Sequence, residues 1–393
     1  MKRCDVAVIG GGVIGAACAR AAALRGLAVA VFEPGPDVAA ASPASAGMLA
    51  AQIEPAGEDA LSLSLRARDL YDALAPTLLD ATGIDVGLWR SGIASLAFDE
   101  ASEHRLKTSV AAQRQAGLRC DWLGAGEVAE RWEGMAPECR GALFAPEDGA
   151  LDPQALTRAL LADARRLGAV LVMERVTGVT TEGGRATGVI SATEAVASEH
   201  VVVAAGAWSP GLSGLPRPLT VEPVRGQLAA TAWPDRHARA ILYYDHCYVL
   251  ARGEEAVLGS TMEHAGFECR VTNEGLAQIF RSAVRLMPAL EPQPVLRMWA
   301  GLRPVTPDGA PFVGQDPDVS SLWYATGHGR NGVLLAALTG EVIGDLVSTG
   351  STTVDVTPWR PGRHDGGKRR PSRRSARTDP QQASNDGSDQ PPG

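Results

Sequence analysis

Short runs of apolar residues open the chain, and each run has the length of one buried secondary-structure element. Residues 6–9 and 28–32 are continuous apolar runs, which is typical of strands buried on both faces of a parallel sheet. Between them, residues 16–24 are apolar and alanine-rich, and Gly26 provides a helix end. This order predicts a strand–helix–strand unit at the N-terminus.

The same apolar character recurs in three separated segments, residues 1–85, 146–220 and 300–358. In the second segment Pro153 opens an amphipathic helix. Residues 176–191 contain two strand-like runs on either side of a Gly-Gly turn, which predicts a β-hairpin. A core built from separated segments predicts a discontinuous α/β domain with Rossmann-like topology.

The intervening segments, residues 86–145 and 221–299, carry a different pattern. Apolar and polar positions alternate over strand-like stretches at 93–98, 226–232, 240–244, 247–251 and 256–260. Such stretches predict a second, substrate-facing domain with a mixed or antiparallel sheet, followed by a helix over 273–286. Residues 361–393 have no periodicity and are predicted to be a disordered, solvated tail.

Charge and cysteine content narrow the possible functions. The formal charge is −8, and the tail alone carries seven Lys or Arg against four Asp, which leaves the remainder at −11. This acidic balance argues against a nucleic-acid partner, although the basic cluster 368–370, with Arg373 and Arg374, could touch nucleic acid or an acidic surface. The six cysteines show no metal-site or disulfide spacing. Since no apolar run reaches about eighteen residues, we expect no membrane span and a cytoplasmic location.

The first turn after the N-terminal strand carries a glycine fingerprint. Gly10 permits a tight turn, Gly12 lets the backbone approach a pyrophosphate, and Gly15 lets the helix pack on the strand. Glu33 ends the next apolar run, at the spacing expected of an acid that accepts from ribose hydroxyls. The pattern predicts dinucleotide binding; it leaves FAD and NAD open, and Glu33 argues against NADP.

Five motifs in order along the chain resemble one family. They are the glycine fingerprint, Ala41-Ser42 through Ala46-Gly47-Met48-Leu49, Pro223-Val224-Arg225-Gly226-Gln227, Trp299-Ala300-Gly301-Leu302-Arg303-Pro304 with Pro307-Asp308-Gly309, and Gly327-His328-Gly329-Arg330-Asn331-Gly332. Together they resemble the D-amino acid oxidase and glycine/sarcosine oxidase family of FAD enzymes, over residues 1 to about 350. Ser42 with Ala-Gly-Met-Leu, and His246-Cys247-Tyr248, are features of its glycine oxidase branch.

The resemblance implies an activity. The expected enzyme oxidises glycine, sarcosine or small D-amino acids by hydride transfer from Cα to flavin N5, releases an imine for hydrolysis, and reduces O₂ to H₂O₂. In a thiamine-making cell the imine would be drawn off for thiazole assembly. The FAD is expected to be non-covalent, because no cysteine follows Cys269. A homo-oligomer is expected.

The resemblance also implies which residues line the site. Arg303 would clamp the substrate carboxylate with a planar two-donor fork, Tyr248 would add a hydroxyl, and Arg330 would help the carboxylate or the flavin edge. His246 would shape the pocket entrance, and Met48 and Met262 would line the pocket. FAD contacts are expected from Gly10, Gly12, Val13, Ile14, Gly15, Glu33, Pro34, Ala41, Ser42, Ala46, Gly47, Met48, Val176, Gly206, Trp208, Gly301, His328, Gly329, Arg330, Asn331, Gly332, Val333 and Leu334.

Each assignment has a simpler alternative. From spacing alone, Arg303 could pair with a surface acid, Tyr248 could be an ordinary strand aromatic, and both methionines could fill the core. Residues 328–334 are expected to form a loop before an apolar helix, whose N-terminus would stabilise negative charge on the flavin. The activity has two alternatives as well: a D-amino acid dehydrogenase that uses a quinone, and a non-catalytic flavin-binding protein.

Overall fold

The computed structural model describes residues 3–35, 40–55, 60–132, 134, 138–234 and 237–363. Its helices, in chain order, are α1 Val13–Leu24, α2 Ala41–Ala44, α3 Leu61–Asp69, α4 Tyr71–Thr82, α5 Glu100–Gln115, α6 Ala125–Arg131, α7 Pro153–Arg166, α8 Asn273–Leu286 and α9 Gly332–Thr349. Its strands are β1 Arg3–Ile9, β2 Val29–Phe32, β3 Met48–Leu49, β4 Ile93–Ala97, β5 Asp121–Gly124, β6 Gly141–Ala145, β7 Gly149–Ala150, β8 Val170–Val172, β9 Val176–Glu182, β10 Arg185–Ser191, β11 Ala195–Val203, β12 Glu222–Ala232, β13 Ile241–Tyr244, β14 Cys247–Arg252, β15 Glu255–Gly259, β16 Val295–Val305, β17 Phe312–Gln315 and β18 Leu322–Thr326.

The first sheet has the central strand order β17-β18-β11-β1-β2-β8. Strand β1 runs parallel to both β2 and β11, with Val8 opposite Val31 on one side and Val202 on the other. All three valines are buried because helices cover this part of the sheet. The hairpin β9–β10 extends the sheet from β11. The α/β fold class predicted from the apolar runs is confirmed.

The second sheet has the order β16-β12-β15-β14-β13-β4-β6-β5. Most neighbours are antiparallel, but β13 pairs with β4 in parallel, so the sheet is mixed. Strand β16 pairs with β12 over nearly its whole length, with Gly226 opposite Gly301 and Val224 opposite Arg303. Each sheet draws on strands from separated parts of the chain. The boundaries assigned to the two domains stay a prediction.

Helix α1 follows β1 after the glycine turn and lies against α9. Small residues make the close approach of the two helices possible: a Cβ on Gly340 of α9 would lie 2.8 Å from the carbonyl oxygen of Ala17. Helix α9 is also apolar and long enough for a membrane span by length and composition, but 67% of that window is buried inside the protein. Helix α9 is therefore a core helix, packed in the same hydrophobic cluster as α1.

Several predicted boundaries require correction. Helix α1 begins at Val13 rather than residue 16, since Gly12 serves as its N-cap. The predicted loop 328–334 is too long, because α9 begins at Gly332. The predicted tail starts too early, because Arg363 donates to Asp308 Oδ2 at 2.7 Å and to the carbonyl oxygen of Pro311 at 2.9 Å. Residues 364–393 of that tail lie outside the described residues.

We predict that Gly15→Ala lowers the free energy of unfolding by about 2 kcal/mol or more. A Cβ at this position would lie 1.8 Å from the carbonyl oxygen of Gly10, so helix α1 must shift away from β1. Urea unfolding measures the loss. Gly126→Ala in α6 is the control: nothing lies within 4 Å of its Cβ position, and the change should raise helix propensity. Equal stability of Gly15→Ala and wild type would contradict this packing.

Candidate active site

A cavity runs along the first sheet and reaches the second, and residues from both sheets line it. At one end lie the glycine turn and Glu33, and at the other lie Tyr248 on β14 and Arg303 on β16. Residues of the 41–48 segment and the start of α9 line the space between. The carboxyl ends of parallel strands open onto it, which is where ligands bind in open α/β sheets.

The glycine turn forms a cradle at the first end of the cavity. The backbone N–H of Gly11 donates to Glu33 Oε2 at 2.6 Å, so the acid is fixed beside the turn. The N–H of Val13 donates to Ser42 Oγ at 3.0 Å, and a Cβ on Gly12 would lie only 3.0 Å from the same oxygen. A residue larger than glycine would fill this space. The cradle therefore fits a pyrophosphate at the N-terminus of α1.

Three side chains from outside hold the segment 41–48 against the cavity. Gln154 of α7 donates to the carbonyl oxygen of Pro43 at 2.9 Å, and Trp299 Nε1 donates to that of Ala44 at 3.0 Å. Arg252 donates to the carbonyl oxygen of Ala46. Trp299 and Arg252 belong to the second sheet, so this segment is fastened to both parts of the molecule. Trp299 stands in one of the five motifs, and this anchoring contact could not be predicted from its place there.

The N-terminus of α9 lies beside the cavity. Asn331 is its N-cap and makes no side-chain capping bond, and Gly332 and Val333 line the cavity in the first turn. The preceding Gly329 N–H donates to the carbonyl oxygen of Pro304 at 2.7 Å, which ties this turn to β16. Uncapped N–H groups and the helix dipole favour negative charge here.

His328 is a buried histidine at the edge of the same turn. It is 3% exposed, and its Nε2 lies 3.0 Å from Thr339 Oγ1. Burial lowers the pKa of His328 to about 3, so the imidazole is neutral throughout the physiological pH range. It supports the turn by a neutral hydrogen bond.

Arg303 is a partly buried cation at the second end of the cavity. Its Nη2 donates to Ser260 Oγ at 2.7 Å, and its Nη1 donates to the carbonyl oxygen of Thr261 at 3.1 Å. Burial lowers the pKa of the guanidinium. No carboxylate among the described residues lies within ion-pair distance of it. The surface-acid alternative for Arg303 is therefore wrong, and the cavity holds a cation suited to an incoming anion.

Glycines make the space that Arg303 and Tyr248 occupy. A Cβ on Gly226 would lie 2.0 Å from Arg303 Nη1, and a Cβ on Gly259 would lie 2.5 Å from the Tyr248 hydroxyl. Tyr248 is 6% exposed, and burial raises its pKa to about 12. The hydroxyl therefore keeps its proton and can donate it in a hydrogen bond.

The Pro223–Gln227 motif supports the oxygen atoms that Arg303 contacts. Arg225 is 8% exposed and pairs with Glu263, with Nε 2.7 Å from Oε2. Gln227 Nε2 donates to Glu263 Oε1 at 2.7 Å, and the Gln227 N–H donates to Thr261 Oγ1 at 3.0 Å. Strand β12 thus fixes the segment 260–263 from behind.

Four polar side chains meet at the mouth of the cavity. Arg330 Nη1 lies 2.9 Å from Glu54 Oε1 and 2.8 Å from His246 Nδ1. The Tyr243 hydroxyl donates to Glu54 Oε1 at 2.5 Å. Burial alone would raise the pKa of Glu54, but the bond with His246, the charge of Arg330 and the Tyr243 hydroxyl together lower it. Glu54 is therefore an anion at neutral pH.

The structure brings nearly all of the predicted site residues to the cavity. The exceptions are Gly15, which packs against Gly10, and Leu334, which is 1% exposed in the hydrophobic core. Met262, also expected in the pocket, is 45% exposed and does not line it. Lining residues that the sequence analysis missed include Glu54, Arg175, Thr177, Gly226, Leu228 and Ser260. None belongs to a recognisable spacing of catalytic residues, although Gly226 stood in a quoted motif.

Comparison with known proteins identifies the family. The family model of FAD-dependent oxidoreductases (DAO) matches residues 5–346. The chain belongs to this family. A glycine oxidase of Geobacillus kaustophilus is 36% identical over 371 residues, which cover 93% of this chain and 98% of that protein. A crystal structure of glycine oxidase from Geobacillus kaustophilus superposes with a TM-score of 0.89 at 34% identity, covering 93% of this chain and 100% of that one.

A second relative differs in architecture. The bifunctional protein ThiO/ThiG of Nostoc is 34% identical over 358 residues, which cover 87% of this chain but only 52% of that protein. The resemblance inferred from the five motifs is confirmed by these matches. This FAD-dependent oxidoreductase is an enzyme, and the glycine cradle and the two helix N-termini fit the cofactor that its family uses.

We predict that the stability of this oxidoreductase falls as the pH drops, in part because of His328. Its folded pKa of about 3 lies below the ordinary value of 6.5. Between these values the unfolded chain binds the extra proton, so this residue makes the unfolding free energy fall by up to about 1.4 kcal/mol per pH unit below pH 6.5.

His328→Gln keeps a hydrogen-bonding group near Thr339 without a titrating ring. Urea unfolding of the FAD-saturated protein at pH 7.5 and 5.0 should therefore show a difference about 2 kcal/mol smaller for the variant than for wild type. His104→Gln on the exposed face of α5 is the control and should leave that difference unchanged. Identical pH dependence of wild type and His328→Gln would contradict the prediction.

Proposed function

We propose that this protein is an FAD-dependent oxidase of glycine and similar small amines, including sarcosine and small D-amino acids. The observation that carries the proposal is Arg303: a partly buried guanidinium in the cavity that no described carboxylate neutralises. Its planar fork matches the two oxygens of an amino acid carboxylate. The relatives named glycine oxidase support this substrate class.

The protein groups hold the amino acid in one orientation. Arg303 binds the carboxylate through N–H groups not used toward Ser260 and Thr261, and the protonated Tyr248 donates to the same carboxylate. Met48 is half-buried and closes the apolar side of the cavity, which favours a small Cα substituent. Holding the substrate in a fixed orientation accounts for most of the rate enhancement in a hydride transfer.

The chemistry that FAD would supply when bound is acceptance of a hydride from Cα of the neutral amine and transfer of two electrons to O₂. The products would be an imine, which water hydrolyses, and H₂O₂. Asn331, Gly332 and the dipole of α9 lie at the cavity and would stabilise negative charge on a bound cofactor. His246 lies at the mouth with its side chain 60% exposed. We assign it to the entrance, and the reaction needs no protein base on Cα.

The wider assignments are part of the same proposal. The relationship to a ThiO/ThiG protein supports use of the imine in thiamine synthesis. The location proposed is the cytoplasm. A homo-oligomer is supported by the edge strand β16, on which Val295, Leu296 and Met298 are each about half exposed, because open apolar edges are rarely left uncovered.

We predict that Arg303→Lys lowers the rate of flavin reduction per unit glycine concentration by 10²-fold or more, since an ammonium cannot form the two-donor fork. Anaerobic stopped-flow absorbance with glycine, sarcosine, D-alanine and D-proline measures the reduction. Gly226→Ala should act in the same direction, because its Cβ displaces the guanidinium. FAD affinity should change little in either variant.

Readmission of air to the reduced enzyme distinguishes the possible acceptors. Rapid reoxidation with one H₂O₂ per flavin is the result expected of an oxidase. Slow reoxidation would instead favour a dehydrogenase that uses a quinone. Failure of every amino acid to reduce the flavin would overturn the proposal and leave a non-catalytic flavoprotein.

We predict that the FAD is dissociable. None of the six cysteines, all within the described part of the chain, lines the cavity. Precipitation with trichloroacetic acid should release all flavin absorbance at 450 nm to the supernatant. Flavin that stays with the protein pellet would contradict the prediction.

A further inference from the structure

Three arginines line the cavity, and two of them, Arg303 and Arg330, are close enough to influence each other's charge. Of these two, only Arg303 is free to bind a substrate anion. Arg303 contacts a hydroxyl and a carbonyl oxygen and keeps its positive charge uncompensated. Arg330 lies 2.9 Å from the carboxylate of Glu54, which is 12% exposed at the side chain. In this partly buried setting the ion pair is worth more than one on the open surface.

We propose that Glu54 determines which substrate charge the site accepts. By neutralising Arg330, it makes the site accept amines with one carboxylate and reject amines with two. This deepens the proposed function and rests on it. Without Glu54, Arg330 would present a second unpaired guanidinium beside the first. A substrate with a second carboxylate would then gain a partner. With Glu54 in place, the same carboxylate meets a like charge at the mouth.

A buried polar network holds Glu54 in this position. Asp148 is 0% exposed, and its Oδ2 accepts from the N–H groups of Gln52 at 2.9 Å and Ile53 at 3.3 Å. Its Oδ1 accepts from Arg68 Nη1 at 3.1 Å, and Arg68 is only 2% exposed. Two successive peptide groups just before Glu54 are therefore fixed to a buried carboxylate.

The network joins separate elements behind the mouth. Arg68 of α3 also donates to Gln52 Oε1 at 3.0 Å, and Gln113 of α5 accepts from Gln52 Nε2 at 2.9 Å. Neither Asp148 nor Arg68 lines the cavity. Asp148 is therefore a positioning residue, which acts on substrate charge only through Glu54.

The first test measures binding without turnover. Acetate and malonate are titrated against the flavin absorbance of the holoenzyme in wild type and Glu54→Gln. We expect the affinity for malonate relative to acetate to rise about three- to tenfold in Glu54→Gln, a range that one partly buried charge pair supports. This difference between the variant and wild type should become smaller at high salt, because salt screens charges.

Glu103→Gln is the matched control for this titration. Glu103 is also an acid paired with an arginine, with its side chain 20% exposed and 2.6 Å from Arg140, but it lies on α5 outside the cavity. Its substitution should leave the malonate-to-acetate ratio unchanged. An unchanged ratio in Glu54→Gln, or an equal rise in Glu103→Gln, overturns the assignment.

The second test uses turnover with sarcosine and iminodiacetate, which differ by a carboxylate on the N-methyl carbon. Glu54→Gln should raise kcat/KM for iminodiacetate relative to sarcosine by the same three- to tenfold, mainly through KM. If no variant oxidises either amine while malonate selectivity still shifts, the proposed oxidase activity fails and the role of Glu54 stands.

The third test concerns Asp148. Asp148→Asn should shift malonate selectivity in the same direction as Glu54→Gln and should add nothing in the double variant. Asp163→Asn is its control, because Asp163 is 1% exposed and 2.6 Å from Arg20 in the other part of the molecule. It should lower Tm without changing selectivity.

If Asp148→Asn changes malonate selectivity as much in the Glu54→Gln background as it does in wild type, the positioning role of Asp148 is overturned. If Asp148→Asn does not yield holoenzyme, hydrogen exchange of the wild-type protein tests whether Asp148 anchors the backbone before Glu54. Slow exchange at the amides of Gln52 and Ile53 is expected, and exchange as fast as in a free loop would contradict the anchoring.

Discussion

The partial burial of Arg303 without a carboxylate partner is the constraint on which the second half of this molecule depends. A guanidinium removed from water without a carboxylate partner raises the free energy of the folded state, so its surroundings must supply neutral acceptors at fixed positions. Ser260 and Thr261 supply them. Their segment is held by β12, which must also leave room for the guanidinium at Gly226. The stability given up here leaves a cation available to a ligand.

At the cavity, the segment 41–48 makes hydrogen bonds to elements of both parts of the molecule. Its carbonyl groups accept from α7 on one side and from Trp299 and Arg252 on the other. Strand β16 carries both Trp299 and Arg303, so the element that fastens the cofactor-facing segment also carries the substrate clamp.

Charges are paired at one end of the cavity but not at the other. Its deep end has an uncompensated cation and the N-terminus of α9, both of which favour anions. The mouth is balanced, because Glu54 and Arg330 pair there. The buried Asp148 lies behind this pair and orders the backbone before Glu54. Selection by charge at the entrance and binding by charge in the interior are therefore separate properties of one cavity.

Local pattern alone determined the strand–helix–strand unit, the cradle of Gly10 and Gly12, and the acid at residue 33, because apolar period and glycine geometry act over short distances. The family motifs added Arg303 and Tyr248 but not their environment. Only the tertiary structure paired Glu54 with Arg330, residues 276 positions apart in the chain, and moved Leu334 into the core. Such contacts depend on how distant elements pack, which no local pattern encodes.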